Sequence, residues 1–144
     1  MDQKIDDQGV SRRTAICALS LIGVGIFTSA ESAVAATGVK ILSNGKVQVT
    51  LKSNPALKKV GGVVRIDDVK GKSIALVRTS TKGYTAVNLL CTHLGGQLFQ
   101  TANQWQCDEH GATFTLAGKN LVGPATTALK QLPVKATASV VTIG

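Results

Sequence analysis

Two short stretches constrain this chain more than anything else in it: Cys91-Thr92-His93-Leu94-Gly95 and Cys107-Asp108-Glu109-His110-Gly111. Together they hold both histidines of the protein and two of its three cysteines, and 13 residues separate His93 from Cys107. That spacing fits a β-hairpin that brings two loops tip to tip, each supplying one thiol and one imidazole. A [2Fe–2S] cluster with mixed ligation takes this donor set, two thiolates on one iron and two imidazoles on the other. A Cys₂His₂ zinc site takes the same four residues, although zinc sites usually place both cysteines at one end and both histidines at the other. Gly95 and Gly111 follow the two histidines where the backbone either takes positive φ or passes close to a buried group.

The pattern Cys-x-His-x-Gly followed by Cys-x-x-His-Gly resembles that of the Rieske iron–sulfur proteins, and every named position matches. Gly123-Pro124-Ala125 is similar to the family's third, proline-containing loop, and Leu129–Val134 and Ala138–Ile143 to its closing strands. The likeness runs from about Val39 to Gly144. It implies Cys91 and Cys107 on an inner iron and His93 and His110 on an outer one, with one [2Fe–2S] cluster per chain. It also implies a base sandwich into which a small cluster-binding subdomain, about 89–125, is inserted.

The sequence departs from the quinol-oxidising branch of that family. Gly96 and Glu109 stand where that branch has two further cysteines in a disulfide, Ala112 where it has a serine and Phe114 where it has a tyrosine. The missing hydroxyls point to a potential in the lower part of the family's range. Quinol oxidation in a cytochrome bc-type complex is correspondingly disfavoured. The exported single-domain form otherwise resembles that branch and the small subunit of arsenite-oxidase-type enzymes.

The rest of the chain reads as short strands between turns. Lys46–Lys52 alternates apolar and polar residues, and Val63–Ile66, Ile74–Arg78, Tyr84–Leu90, Gln97–Gln100, Gln104–Cys107, Ala112–Leu116 and Ser139–Ile143 follow as further strand candidates. Thr101-Ala102-Asn103 closes the hairpin between the ligand loops, and Trp105 and Phe114 are expected to pack the core beside it. With no convincing long helix, the fold class expected is all-β, an antiparallel sandwich.

Residues 1–35 read as a targeting segment, leaving 36–144 as the domain. Ser11-Arg12-Arg13-Thr14 precedes 17 uncharged residues, Thr14–Ala30, and Ala33-Val34-Ala35 offers small residues for cleavage. A twin-arginine signal suits a protein exported after its cluster is loaded, to the periplasm or the outer face of the cytoplasmic membrane. Left uncleaved, the same segment is at the short edge of a membrane anchor. Cys17 lies within it and is assigned no function.

The formal charge is +8 over 144 residues. Within 36–144 there are 13 Lys+Arg against 4 Asp+Glu, a net +9, while 89–125 carries one lysine against two acids. Aromatic content of 3% and the absence of basic runs interleaved with aromatics argue against nucleic acid. A basic surface remote from the cluster is suited to anionic lipids or an acidic subunit. No nucleophile, general base or substrate pocket is legible. The expected role is therefore one-electron transfer between redox protein partners. The chain reads as a free carrier or as a redox subunit of a membrane or periplasmic oxidoreductase, not as a stand-alone catalyst.

Overall fold

The computed structural model describes residues 37–144. The targeting segment expected at 1–35, and Cys17 within it, lie outside the described residues.

Among the described residues, twelve strands form three four-stranded antiparallel sheets. In the first, β1 (Val39–Ile41), β2 (Val47–Thr50), β12 (Val140–Ile143) and β11 (Val134–Ala136) lie in that order. In the second the order is β10 (Gln131–Leu132), β5 (Tyr84–Asn88), β4 (Lys72–Arg78), β3 (Val63–Val69). The third is the consecutive meander β6 (Leu98–Thr101), β7 (Gln104–Cys107), β8 (Thr113–Thr115), β9 (Asn120–Val122). The chain leaves the second sheet after β5, builds the whole third sheet, and returns as β10 beside β5. Among the described residues no helix is long and apolar enough to cross a membrane.

The second sheet is the middle layer, which explains the sequence of β4. Side chains alternate across a strand. Ile74 and Leu76 enter a core with Val47, Val49, Val141 and Ile143 of the first sheet. Ala75 and Val77 enter a second core with Leu98, Trp105, Cys107 and Phe114 of the third. Five successive residues of β4, Ser73–Val77, are therefore buried, and the strand reads as a nearly continuous apolar run, as strands covered on both faces do.

The third sheet is small, and aromatic side chains hold it together. Trp105 and Phe114 are cross-strand partners and fully buried. Such pairs add about 0.5–1.5 kcal/mol beyond the area they cover. The indole Nε1 donates to the Leu116 carbonyl at 3.0 Å, so no polar atom is stranded there. Arg65 of β3 links this sheet to the middle one by donating through Nη1 to the Leu98 carbonyl at 2.8 Å. Its Nε donates to Asp67 at 2.9 Å.

Several element bounds differ from the sequence reading. The strand expected over Lys46–Lys52 ends at Thr50, and Leu51–Ser53 and Pro55–Lys58 form two 3₁₀ turns. The Leu51 amide turns away to the Ser139 carbonyl, and Pro55 cannot extend a ladder. Tyr84–Leu90 is regular only to Asn88, with Leu90 bridging to Gln97. Val63–Ile66 continues to Val69 past an irregularity at Asp68, whose φ is 59°. The short strands β1 and β9 were not legible as strands.

Candidate metal centre

The strands deliver the two ligand loops as near copies of each other. Cys91 emerges from the end of β5, and its amide donates to the Gly96 carbonyl at 2.8 Å while its carbonyl accepts from the Gly95 amide at 2.9 Å. Cys107 ends β7, and its amide donates to the Ala112 carbonyl at 2.9 Å while its carbonyl accepts from the Gly111 amide at 3.1 Å. Each loop thus closes through its cysteine and through a glycine four residues later. Gly95 and Gly111 sit at φ +80° and +73°, a region that side-chain-bearing residues avoid. The loops are placed side by side by Leu98, which is the cross-strand partner of Cys107 and whose amide donates to the Leu89 carbonyl at 3.1 Å.

All four residues expected as ligands come together, in two pairs. Cys91 and Cys107 are free thiols buried in the core between the second and third sheets. The two belong to one core cluster, close enough for Cys107 to bear on the Cys91 thiol. The imidazoles of His93 and His110 meet edge to face nearer the surface, ring centroids 4.8 Å apart. Among the described residues no group of three or more His, Cys, Asp or Glu side chains gathers to hold one metal ion. Two separated pairs suit a binuclear group with a sulfur end and a nitrogen end.

Two electrostatic features fit such a group. Nδ1 of His93 is buried without a hydrogen-bond partner, an arrangement that costs about 1–3 kcal/mol unless something binds there. Burial pushes the Cys91 thiol up; the His93 amide pulls it down, and the neighbouring Cys107 pushes it up again. A Cys91 thiol kept neutral by burial needs metal to displace its proton, which couples binding to proton release.

The third loop lies against the first. Thr92 Oγ1 donates to the Thr127 carbonyl at 2.8 Å, and Ala125 packs into the core that holds both cysteines. The family's disulfide positions also face each other here. A Cβ placed on Gly96 would lie 3.0 Å from the Glu109 carboxyl carbon and 2.8 Å from the Cys107 sulfur. Ala112 and Phe114 are fully buried in the same core. Three contributors were not read from the sequence: Thr92, Arg65 and the contact of Gly96 with Cys107. Thr92 was signalled by its place between two ligands. The other two act across sheets, and no local pattern marks them.

Residues 47–133 match the family model for the Rieske [2Fe-2S] domain. Among solved structures the chain is similar to the cyanobacterial plasma membrane Rieske protein PetC3 from Synechocystis PCC 6803, with 28% identity, 60% of this chain and 90% of that one covered, and a TM-score of 0.51. It is also similar in fold to the apo form of a quaternary ammonium Rieske monooxygenase, CntA, with 20% identity, 63% of this chain but 30% of that one covered, and a TM-score of 0.53. No curated protein matches. The zinc reading of the same four residues gives way to the family match. A donor set split into buried thiols and outer imidazoles, on two matching glycine-closed loops, is thus joined by a sequence match across both loops: the chain belongs to the Rieske [2Fe–2S] domain family and carries electrons through a [2Fe–2S] cluster.

Proposed function

We propose that this chain is an exported one-electron carrier in which Cys91 and Cys107 hold the inner iron and His93 and His110 the outer iron. The observation that carries the assignment is the pairing of the four side chains, thiols buried and imidazoles outward. We take 89–125 as the cluster-binding unit set into 36–144. When bound, the cluster supplies a site that takes up and gives back a single electron.

The chain's own residues do the rest. The fully buried Trp105 and Phe114 keep water from the sulfur end. The glycine-closed loops constrain both cysteine positions, which lowers the ordering cost of holding the cluster. His110 is 40% exposed, and Leu94, next to His93, is 70% exposed. An exposed tip, with Leu94 beside one imidazole and Asp108 and Glu109 beside the other, gives a redox protein a surface on which to approach closely. Arg12-Arg13 followed by 17 uncharged residues supports export by the twin-arginine route.

The test is metal and sulfide analysis of protein matured in its own host. Two irons and two labile sulfides per chain are expected in the wild type, and none in Cys107→Ala or His93→Ala. One zinc and no iron would overturn the ligand assignment. Arg12→Lys with Arg13→Lys should leave cluster-loaded protein in the cytoplasm, and normal export of that variant would overturn the export route.

A further inference from the structure

The two ends of the described domain differ in charge. β5 spans the distance between them: its last residues lead to Cys91, and its first, Tyr84, pairs with Arg78. Cys91 lies seven residues beyond Tyr84, a reach of at most about 23 Å. All four acidic residues of the described chain lie towards the cluster end. Asp108 and Glu109 are in the second ligand loop, and Asp67 and Asp68 follow Arg65, which reaches Leu98. The far end carries Lys52, Lys58, Lys59, Arg78 and Lys82 with no acid, whereas at the cluster end Lys70, Lys72 and Lys130 offset the four acids.

An open cleft of about 440 Å³ lies at that far end. Leu51, Ala136 and Ala138 give it apolar walls, and Thr81, Lys82 and Tyr84 give it polar ones. Arg78 fixes its shape: the guanidinium lies 5.5 Å from the centroid of the Tyr84 ring and donates to the carbonyls of Leu57, Ser80 and Thr81. With its donors committed to backbone, Arg78 adds a fixed positive field and leaves direct contacts to Lys82, which is exposed and forms no ion pair among the described residues.

The chain also enters the domain here. The Thr37 carbonyl accepts from Asn54 Nδ2 at 2.7 Å and the Gly38 carbonyl from the Thr50 amide at 3.0 Å, next to Leu51 of the cleft. Uncharged Thr14–Ala30 ends seven residues before Thr37, a reach of at most about 25 Å. The point where the described chain begins, a basic end and a cleft carrying Lys82 thus lie on one side of the molecule.

We infer that this end docks on an anionic lipid surface. The cleft receives a headgroup phosphate at Lys82, and the cluster points away from the bilayer. This deepens the proposed function: the electron partner then approaches from the aqueous side, through the imidazole tip, rather than from within the membrane. Juxtamembrane cations add to binding on anionic leaflets by about fivefold each.

The test is co-sedimentation of the full holoprotein with vesicles of phosphatidylcholine alone and with added phosphatidylglycerol. The expected result is at least about tenfold stronger binding to the anionic vesicles, reduced about tenfold by Lys82→Glu and further by Lys58→Glu with Lys59→Glu. Lys119→Glu, the same charge reversal in the cluster-binding sheet, should leave it unchanged. Equal binding to both vesicles, or equal loss with Lys119→Glu and Lys82→Glu, overturns the inference. So does full displacement by inorganic phosphate at matched ionic strength, which would assign the cleft to a free anion. The cluster's visible absorbance, recorded on the same samples, reports separately on the redox reading.

Discussion

Alanine at Gly96 is expected to disrupt the cluster site although the backbone there permits it. Gly96 is not among the positive-φ glycines, so the cost is steric. The new Cβ would lie 2.8 Å from the Cys107 sulfur, 3.0 Å from the Glu109 carboxyl carbon and 3.1 Å from its Oε2. Heavy atoms pack best near 3.5–4.0 Å, so the overlap with sulfur is about 0.7–1.2 Å. The Glu109 side chain is 54% exposed and can swing aside. Cys107 is 1% exposed, paired with Leu98 and bonded to Ala112, so relief must come from moving the sulfur proposed as a ligand. Overpacking of this kind costs about 1–3 kcal/mol. Gly95→Ala is the matched control. Nothing lies within 4 Å of its added Cβ, but φ is +80°, which costs about 1–2 kcal/mol without touching sulfur. Urea unfolding of both apo variants should therefore show similar losses, whereas iron and sulfide content should fall only in Gly96→Ala. Full cluster occupancy with a wild-type visible spectrum in Gly96→Ala would refute the steric reasoning.

Arg65→Met removes the donor to the Leu98 carbonyl and should lower the urea midpoint by the equivalent of about 1–3 kcal/mol, with a midpoint unchanged from wild type showing that water replaces it. Ala102 holds φ 46° in the two-residue hairpin loop between β6 and β7, so Ala102→Gly should raise stability by up to about 1 kcal/mol in the same assay. Asp67 is held below its usual 3.8, first by a hydrogen bond from Ser73 and then by Arg65, against partial burial. A depressed carboxylate stabilises the fold above its unfolded pKa and loses that contribution as pH falls through the folded value. Asp67→Asn should therefore flatten the loss of stability below about pH 4, by a small amount given 57% exposure; an unchanged slope would count against it. Phe114→Tyr should raise the voltammetric midpoint by tens of millivolts, because a donor to a cluster sulfur favours the reduced state and about 1.4 kcal/mol corresponds to 59 mV for one electron; a lowered stability with an unmoved midpoint would mean that the hydroxyl is buried away from sulfur.

What was legible in the sequence is what a few adjacent residues decide among themselves. The Cys–His pair of each loop, the glycines at +80° and +73°, the hairpin around Ala102 and the alternation of β2 are set within windows of four to eight residues. The layering was not legible. The five buried residues of β4 signal burial on both faces, but only the returning chain, with β10 laid beside β5 across the whole third sheet, determines which sheet covers each face. The two 3₁₀ turns after β2 escaped for the same reason, since the Leu51 amide is taken by Ser139, 88 residues away. The donor set could be read along the chain, because each Cys–His pair sits on one local loop. Its division into buried thiols and outward imidazoles was implied by the family resemblance, whereas the pressure of Gly96 on Cys107 and the cleft shaped by Arg78 depend on contacts between segments far apart in sequence. Those contacts exist only once the sheets have paired, which is why tertiary structure alone decides them.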